Sequence, residues 1–289
     1  MPHGKSIELF LVNGTADSII TAELSHWNGK AIKIPRIEVA ACKRDDVTEV
    51  GVYFLFGKDD DNADIVYIGE SENVKERLVQ HIRDYPDKEK FYWNTAVIFI
   101  GHDLNKALIR YLENRFVEIA RKTKRYTVVT KNTYRNTVMK ESQVAMMEEF
   151  IEDVQILLNT LGYKVLEPLV EEARTADPVA PQPETGMLSI TSGNVNATGK
   201  VTAEGFVVLE GAAINEKISE RSLSAGAIKQ RADLLKLGKV KNWVTTENIL
   251  FSSSSAAAVF VLGYSVSGPR AWKAADGRCL KEIEEAETK

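Results

Sequence analysis

The chain has 289 residues, of which 44% are hydrophobic and 27% are charged, and its formal net charge is −4. This composition suits a globular protein of about two domains at roughly 100–200 residues each, and it excludes a membrane protein because no apolar run approaches the roughly 20 residues of a spanning helix. The two cysteines, Cys42 and Cys279, form no CxxC pair, which argues against a disulfide framework or zinc finger and, without a secretory signal at the start, favours the cytoplasm.

The first 47 residues predict a small β extension. Residues 6–12 have the composition of a strand, and TAELSHW and KAIKIP flank Asn28-Gly29, the strongest short signal for a hairpin. Pro35 then ends the second arm of that hairpin.

Two β-rich runs, 51–57 and 65–69, bracket an acidic loop and predict an antiparallel hairpin. The period of two along a strand places side chains alternately on two faces, with Val52, Phe54 and Phe56 on one and Tyr53 and Leu55 on the other. A capping box from Asn73 to Glu76 then opens a helix that runs to about Tyr85.

The remaining elements follow from hydrophobic periodicity and from turn residues. In chain order they are a strand at 91–101, a helix capped by Asp103 and ending near Lys122, an amphipathic helix at 141–162, a proline-rich linker at 172–186, a strand at 205–212, a helix at 227–238 and a serine-capped helix at 252–263.

Basic residues are concentrated between Lys106 and Lys140, although the chain as a whole is acidic. Ten basic and two acidic residues give this basic segment a charge of 10 − 2 = +8. It either faces the phosphates of a nucleic acid or solvates a helix. A smaller patch at 229–241, with a charge of 5 − 1 = +4, leaves the same two alternatives open for the C-terminal half.

Four features occur in a fixed order: Gly51-Val52-Tyr53 on one strand, Tyr67-Ile68-Gly69 on the next, Arg77 on a helix and Glu113 on a later helix. In this order they resemble the GIY-YIG nuclease family, and the resemblance extends from about residue 4 to 163, including SHWNGKA and YLENR. It implies an α+β fold in which a small three-stranded antiparallel sheet is flanked by helices.

The C-terminal half resembles a domain of unknown function that often accompanies such nucleases. The resemblance rests on GFVVLEGA, SSAAAVFVLG and AWK, and the sequence departs from that pattern at Ser254 and at Ser267-Gly268. The predicted organisation is therefore a β extension at 1–47, a nuclease-like domain at 48–140, a helix packing on it at 141–171, a linker at 172–186 and a second small α+β domain at 187–289.

The nuclease resemblance gives roles to two residues of one predicted helix. Arg77 offers a planar fork of donors to phosphate oxygens. His81 lies four residues later on the same face, where it relays a proton or bonds a phosphate. Taken alone, each of these residues would more often have a structural role.

Glu113 stands at the family's metal-ligand position, among apolar neighbours of a predicted helix. A carboxylate in such surroundings needs a partner. The resemblance implies that this partner is one divalent ion, Mg²⁺ or Mn²⁺, since both take oxygen ligands. The alternative is an ion pair with Arg110.

The two motif tyrosines lie on paired strands, where tyrosine also packs well. Under the resemblance we expect Tyr53 to act as a base, its pKa lowered by neighbouring positive charge, and Tyr67 to orient water or phosphate; the two roles could be exchanged. Gly69 lets the backbone approach a phosphate or simply ends the strand. Asn132 matches a late family asparagine that contacts phosphate, with Asn136 as its rival.

Together these residues imply a metal-dependent endonuclease that acts on nucleic acid, with DNA favoured; RNA and structured or damaged DNA stay open as substrates. The basic segment would grip the phosphate backbone without reading bases. The alternative is a non-catalytic module that uses the same fold to bind nucleic acid or protein. No membrane partner is expected, and the sequence identifies no protein partner.

Overall fold

The structure, a computed structural model, describes residues 3–60, 62–85, 87, 91–130, 138–170 and 186–287. The chain divides into two units, Met1–Pro168 and Leu169–Lys289. Both units combine helices with a sheet, so the protein is of the mixed α+β class that the sequence predicts.

One sheet of seven strands organises the first unit. Its strands are β1 (Ile7–Leu11), β2 (Ile20–Leu24), β3 (Gly29–Pro35), β4 (Gly51–Lys58), β5 (Asp64–Ser71), β6 (Trp93–Gly101) and β7 (Thr127–Val128). Their spatial order is β1-β2-β3-β6-β4-β5-β7, and every neighbouring pair is antiparallel except β5 and β7.

The expected three-stranded sheet with a separate β extension is wrong. The extension is continuous with the main sheet because β3 pairs along its whole length with β6, for example Ala31 opposite Phe99. The physical reason lies in β3, where Ala31, Ile32 and Ile34 are all buried. A strand with apolar residues on both faces must lie inside a sheet that is covered on both sides.

The helices of the first unit begin and end at identifiable residues. They are α1 (Arg36–Val39), a short 3₁₀ helix (Asp46–Thr48), α2 (Val74–Asp84), α3 (Lys106–Thr123) and α4 (Glu141–Thr160). The predicted cap of α2 is confirmed, since the Asn73 side chain accepts from the Glu76 N–H. The predicted cap of α3 is wrong: Asn105 accepts from the N–H groups of Ala107 and Leu108, and Asp103 instead accepts from the Asn28 side chain.

The predicted alternation along β4 is confirmed. Val52, Phe54 and Phe56 pack on one face of the sheet with residues of α3 and α4. Tyr53 and Leu55 pack on the other face with residues of α2. The sheet therefore lies between two helical layers, and the tyrosine of the first motif points toward α2.

Gly51, the first residue of the GVY motif, is fixed by packing. A Cβ at this position would lie 2.4 Å from the carbonyl oxygen of Phe99 on β6. We expect Gly51→Ala to destabilise the first unit by about 1–3 kcal/mol, because backbone atoms of a central strand must move. Gly101→Ala is the matched control in the same sheet, since the nearest atom to its Cβ would be 3.4 Å away. Urea denaturation measures both, and equal loss in the two variants would contradict the explanation.

The second unit contains a four-stranded sheet with helices packed on it. The strands of this unit, including a separate pair, are β8 (Met187–Ser192), β9 (Val195–Thr202), β10 (Gly205–Val208), β11 (Val240–Lys241), β12 (Val244–Thr245) and β13 (Ile249–Phe251). Its helices are α5 (Ala225–Lys236), α6 (Ser254–Leu262), α7 (Gly268–Ala271) and α8 (Leu280–Glu287). The sheet order is β13-β10-β9-β8, and β11 pairs with β12.

Sequence signals located α5 and α6 to within two residues but did not predict α7 and α8. The Ser253 hydroxyl caps α6 as predicted, and Gly263 ends it in the left-handed conformation with φ of 77°. The two departures from the family pattern lie against each other, because a Cβ on Gly268 would be 2.2 Å from the backbone of Ser254. The predicted linker at 172–186 lies outside the described residues except for Gly186.

Candidate active site

The motif residues lie where β5 extends past β7, while β4 continues to pair with its other edge. β7 pairs with β5 at Ile65 and Val66, and Thr130 Oγ1 forms hydrogen bonds with the backbone of Ile68. From Tyr67 onward, the alternation of side chains along β5 directs Tyr67 and Gly69 toward α2 and Glu70 toward α3. The end of β5 therefore presents side chains to both helical layers at once.

A cavity of about 570 Å³ lies at this end of β5. It is lined by four residues that the sequence predicted for the site: Tyr53, Tyr67, Arg77 and Glu113. It is also lined by charged residues that the sequence did not single out for the site: Glu70, Glu72 and Lys106. The cavity thus combines aromatic hydroxyls with charges of both signs.

His81 lies behind the two tyrosines and is almost fully buried. Its Nε2 is 2.8 Å from Tyr53 Oη. The ring centroids of Tyr53 and Tyr67 are 6.2 Å apart, and those of Tyr67 and His81 are 4.9 Å apart. The three rings form one cluster against α2, with the Tyr53 hydroxyl as the link between the cavity and the histidine.

Arg77 connects α2 to both tyrosines. Its guanidinium lies close enough to Tyr53 and Tyr67 to interact electrostatically with both side chains, and Nη1 donates to Gln80 Oε1 at 2.5 Å. The bond to Gln80 limits the orientations of the guanidinium before any ligand enters the cavity. The predicted shared face of Arg77 and His81 is confirmed, since both contact Tyr53.

The protonation states of Tyr53 and His81 follow from their burial. Burial, assisted by the negative charge that Tyr67 would carry, raises the pKa of Tyr53 well above its usual value. Burial also lowers the pKa of His81 to about 4, with the positive charge of Arg77 as the next cause. At neutral pH Tyr53 is therefore a phenol and His81 is a neutral imidazole. The pKa of Tyr53 is therefore shifted in the opposite direction to the one expected for a base.

Glu113 is a buried carboxylate in the cavity wall, with 5% of its surface exposed. Its Oε2 has no hydrogen-bond partner among the described residues. Burial and the neighbouring charge of Glu70 raise its pKa to about 7, against the opposing effect of Lys106, Arg110 and Arg77. Arg110 Nε lies 3.8 Å from Glu70 Oε1, and Glu113 Oε2 accepts no hydrogen bond from Arg110 or from any other described residue.

The residues around Glu113 fit a divalent cation of the Mg²⁺ type. A buried carboxylate oxygen that lacks a partner is costly, and a cation would supply one. Among the described residues no group of three His, Cys, Asp or Glu side chains converges. Mg²⁺ suits such a site, because it is usually held by one or two carboxylates and keeps several waters.

The pKa shifts of Glu113 and His81 have opposite effects on how the free energy of unfolding depends on pH. Glu113 keeps its proton to about pH 7 in the folded state but loses it near 4.5 when unfolded, so its contribution falls as the pH rises between these values. His81 binds a proton near pH 6.5 when unfolded but only near 4 when folded, so its contribution rises with pH over that range. Between pH 4.5 and 6.5 the two contributions to the free energy of unfolding therefore change in opposite directions.

When either side chain is replaced, the pH dependence that the other gives to the free energy of unfolding should become measurable. In EDTA, we expect Glu113→Gln to gain about 2 kcal/mol of stability relative to wild type as the pH is raised from 4.5 to 6.5. His81→Gln should lose a similar amount over the same range. Urea denaturation at several pH values measures both, and variants that parallel the wild type would contradict the assigned shifts.

Two predicted phosphate-binding residues have different outcomes. A Cβ on Gly69 would lie 2.5 Å from Tyr53 Oη and 2.8 Å from the ring of Tyr67. The glycine is therefore required by the position of the tyrosines, whether or not a phosphate approaches it. Asn132 and its rival Asn136 lie outside the described residues.

The basic segment between Lys106 and Lys140 does not present one free surface among its described members. Arg115 Nε bonds Glu148 at 2.7 Å, Arg121 donates to the Thr130 carbonyl and Arg125 donates to the Glu167 carbonyl. The count of +8 overstated the available charge, because Glu70 and Glu148 come from outside the segment. The smaller patch at 229–241 is also weakened, since Arg231 is buried and donates to two backbone carbonyls.

Sequence reasoning missed Glu70 and Lys106 as members of the site. Glu70 directly follows the YIG motif, and its charge gave no signal because an acid at a strand end is usually solvated. Its side chain is only 6% exposed and lies 2.7 Å from Lys106 Nζ. Alternation along β5 could have directed it toward α3, but nothing in the sequence paired it with Lys106.

Comparison with known proteins identifies only part of the chain. Residues 188–284 match the model of a domain of unknown function, DUF4357, which confirms the resemblance predicted for the C-terminal half. No nuclease family model was matched over the first unit. No curated protein and no solved structure matches the chain. In the described part of the chain, no helix has the length and apolar character needed to cross a membrane.

Proposed function

We propose that the first unit is a divalent-metal-dependent endonuclease that hydrolyses phosphodiester bonds in nucleic acid. One observation carries the proposal: Glu113, whose buried Oε2 has no hydrogen-bond partner among the described residues, lines the same cavity as Arg77 and the two motif tyrosines. Phosphodiester cleavage needs an activated water, a group that holds the phosphate and charge neutralisation. The motif order of the GIY-YIG nucleases supports the same chemistry and favours DNA.

In this proposal Arg77 holds the scissile phosphate. Its planar guanidinium can donate two parallel hydrogen bonds to phosphate oxygens. Because the bond to Gln80 already limits its orientations, less side-chain entropy is lost when the phosphate enters. When bound at Glu113, Mg²⁺ or Mn²⁺ supplies positive charge that stabilises the leaving oxygen.

Tyr53 and His81 move the proton of the attacking water. Tyr53 cannot act as a free phenolate, because burial raises its pKa. It can instead accept a proton from water while it donates its own to His81 Nε2, 2.8 Å away. Neutral His81 accepts this proton in the tautomer protonated on Nδ1. Tyr67, which lines the cavity beside Arg77, orients the phosphate or the water in this scheme.

The proposal is tested by incubating the full chain with end-labelled single-stranded, duplex and branched DNA and RNA. We expect cleavage of DNA in Mg²⁺ or Mn²⁺ and none in EDTA. Binding without cleavage in every metal would favour the rival function, a non-catalytic module on a nuclease-like fold. The proposal covers the first unit, since the DUF4357 match names no activity for the second.

The proposed location is the cytoplasm. Cys42 and Cys279 are both free thiols, and Cys42 is buried. A reducing compartment keeps such thiols unpaired.

A further inference from the structure

Glu70 occupies an unusual position beside the candidate active site. Alternation along β5 directs it away from the tyrosines and toward α3. Its carboxylate contacts two cations of that helix: Oε2 lies 2.7 Å from Lys106 Nζ, and Oε1 lies 3.8 Å from Arg110 Nε. The Glu70 carboxylate is buried while both cations are partly exposed, and Glu70 and Lys106 line the same cavity as Glu113.

The geometry of α3 raises a problem for Glu113. Arg110 precedes Glu113 by three residues and Lys106 precedes it by seven, so all three side chains lie along one side of the helix. Opposite charges three residues apart, such as Arg110 and Glu113, are neighbours that can pair, and the long side chain of Lys106 lines the same cavity as Glu113. A cationic side chain on Glu113 would occupy the oxygen that a divalent cation needs. Yet Glu113 Oε2 has no partner among the described residues.

We propose that Glu70 is a positioning residue that holds Lys106 and Arg110 away from Glu113 and so keeps the Glu113 carboxylate open to a divalent cation. Glu70 acts through the two cations and need not touch the metal. The inference rests on the proposed function, because it concerns the cation of that same site. It adds a residue whose role is to prevent an internal salt bridge.

The proposal distinguishes Glu70 from its neighbour Glu72. Glu72 also lines the cavity, but it is exposed and lies 3.9 Å from Lys106 Nζ. An exposed pair at that distance holds a flexible lysine weakly. Glu72→Gln is therefore the matched control for Glu70→Gln, since each removes one carboxylate from the same cavity.

The experiment measures Mn²⁺ binding to the full chain by electron paramagnetic resonance, without substrate. We expect Glu70→Gln to weaken Mn²⁺ binding about tenfold, the loss expected when a charge-assisted bond forms in competition with the metal. Glu72→Gln should bind like wild type. The double variants Glu70→Gln/Lys106→Met and Glu70→Gln/Arg110→Met remove the competing cations, and at least one should recover most of the loss.

The double variants separate positioning from direct ligation. If Glu70 were itself a metal ligand, removing Lys106 or Arg110 would not replace the lost oxygen, and both doubles would bind as weakly as Glu70→Gln. That result would overturn the proposal, as would unchanged binding in Glu70→Gln. Thermal unfolding of each variant in EDTA checks that the fold is retained.

Failure of the inference is distinguishable from failure of the proposed function. If wild type binds Mn²⁺, Glu113→Gln loses it and Glu70→Gln does not, only the role of Glu70 is wrong. If wild type does not bind Mn²⁺, or Glu113→Gln binds like wild type, the metal site and the proposed nuclease are both wrong.

Discussion

Glu113→Gln should abolish metal-dependent cleavage while the fold survives. Glutamine keeps the shape of the side chain but removes the negative charge that attracts a divalent cation. Loss of the metal removes charge stabilisation from the transition state, for which a fall in rate of at least about 10²–10³ is expected. Single-turnover cleavage of labelled DNA in Mg²⁺ measures the rate.

The same helix offers a control for this change. Glu118 on α3 is exposed and pairs with Arg115, so Glu118→Gln removes an equal charge away from the cavity. It should cleave at the wild-type rate. Wild-type cleavage by Glu113→Gln would mean that the metal, if one is needed, is held elsewhere.

Arg77→Lys should be nearly as harmful as Arg77→Ala. Lysine keeps the positive charge but lacks the planar fork of donors with which the guanidinium can bond Gln80 and a phosphate at once. Removing one preorganised donor from a transition state costs on the order of 10²–10³ in rate. Cleavage rates at saturating DNA separate this loss from weaker binding.

Arg83→Lys is the matched control for Arg77→Lys. Arg83 is exposed on the same helix and does not line the active-site cavity, so its replacement should leave the rate unchanged. A fully active Arg77→Lys enzyme would mean that Arg77 contributes only its positive charge and that its two parallel donors are not needed for cleavage.

Sequence signals succeeded where the cause is local. The side chain of Asn73 caps α2 because its acceptor is only three residues away, and alternation sorts Val52 and Tyr53 onto opposite faces because the period of a strand is fixed. The cap of α3 was misplaced by two residues. Asp103 and Asn105 are both good caps, and a contact with distant Asn28 engages the first of them.

Sequence signals failed where the partner is distant. The charge of the basic segment was counted without Glu148, which binds Arg115 from another helix. Glu70 could not be recognised because Lys106 lies 36 positions further along the chain. The sheet was underestimated for the same reason, since no local pattern pairs β3 with β6.

The position of β6 has a consequence for how the first unit forms. β6 lies between β3 and β4 and pairs with both. During synthesis, the β1–β3 meander and the β4–β5 hairpin therefore emerge as two separate pieces, each with an open edge. They can join only after Gly101 has left the ribosome. Such long-range pairing slows folding and leaves open strand edges exposed to association with other chains. We expect chains truncated before Gly101 to aggregate, and insertion of β6 to limit the rate of folding.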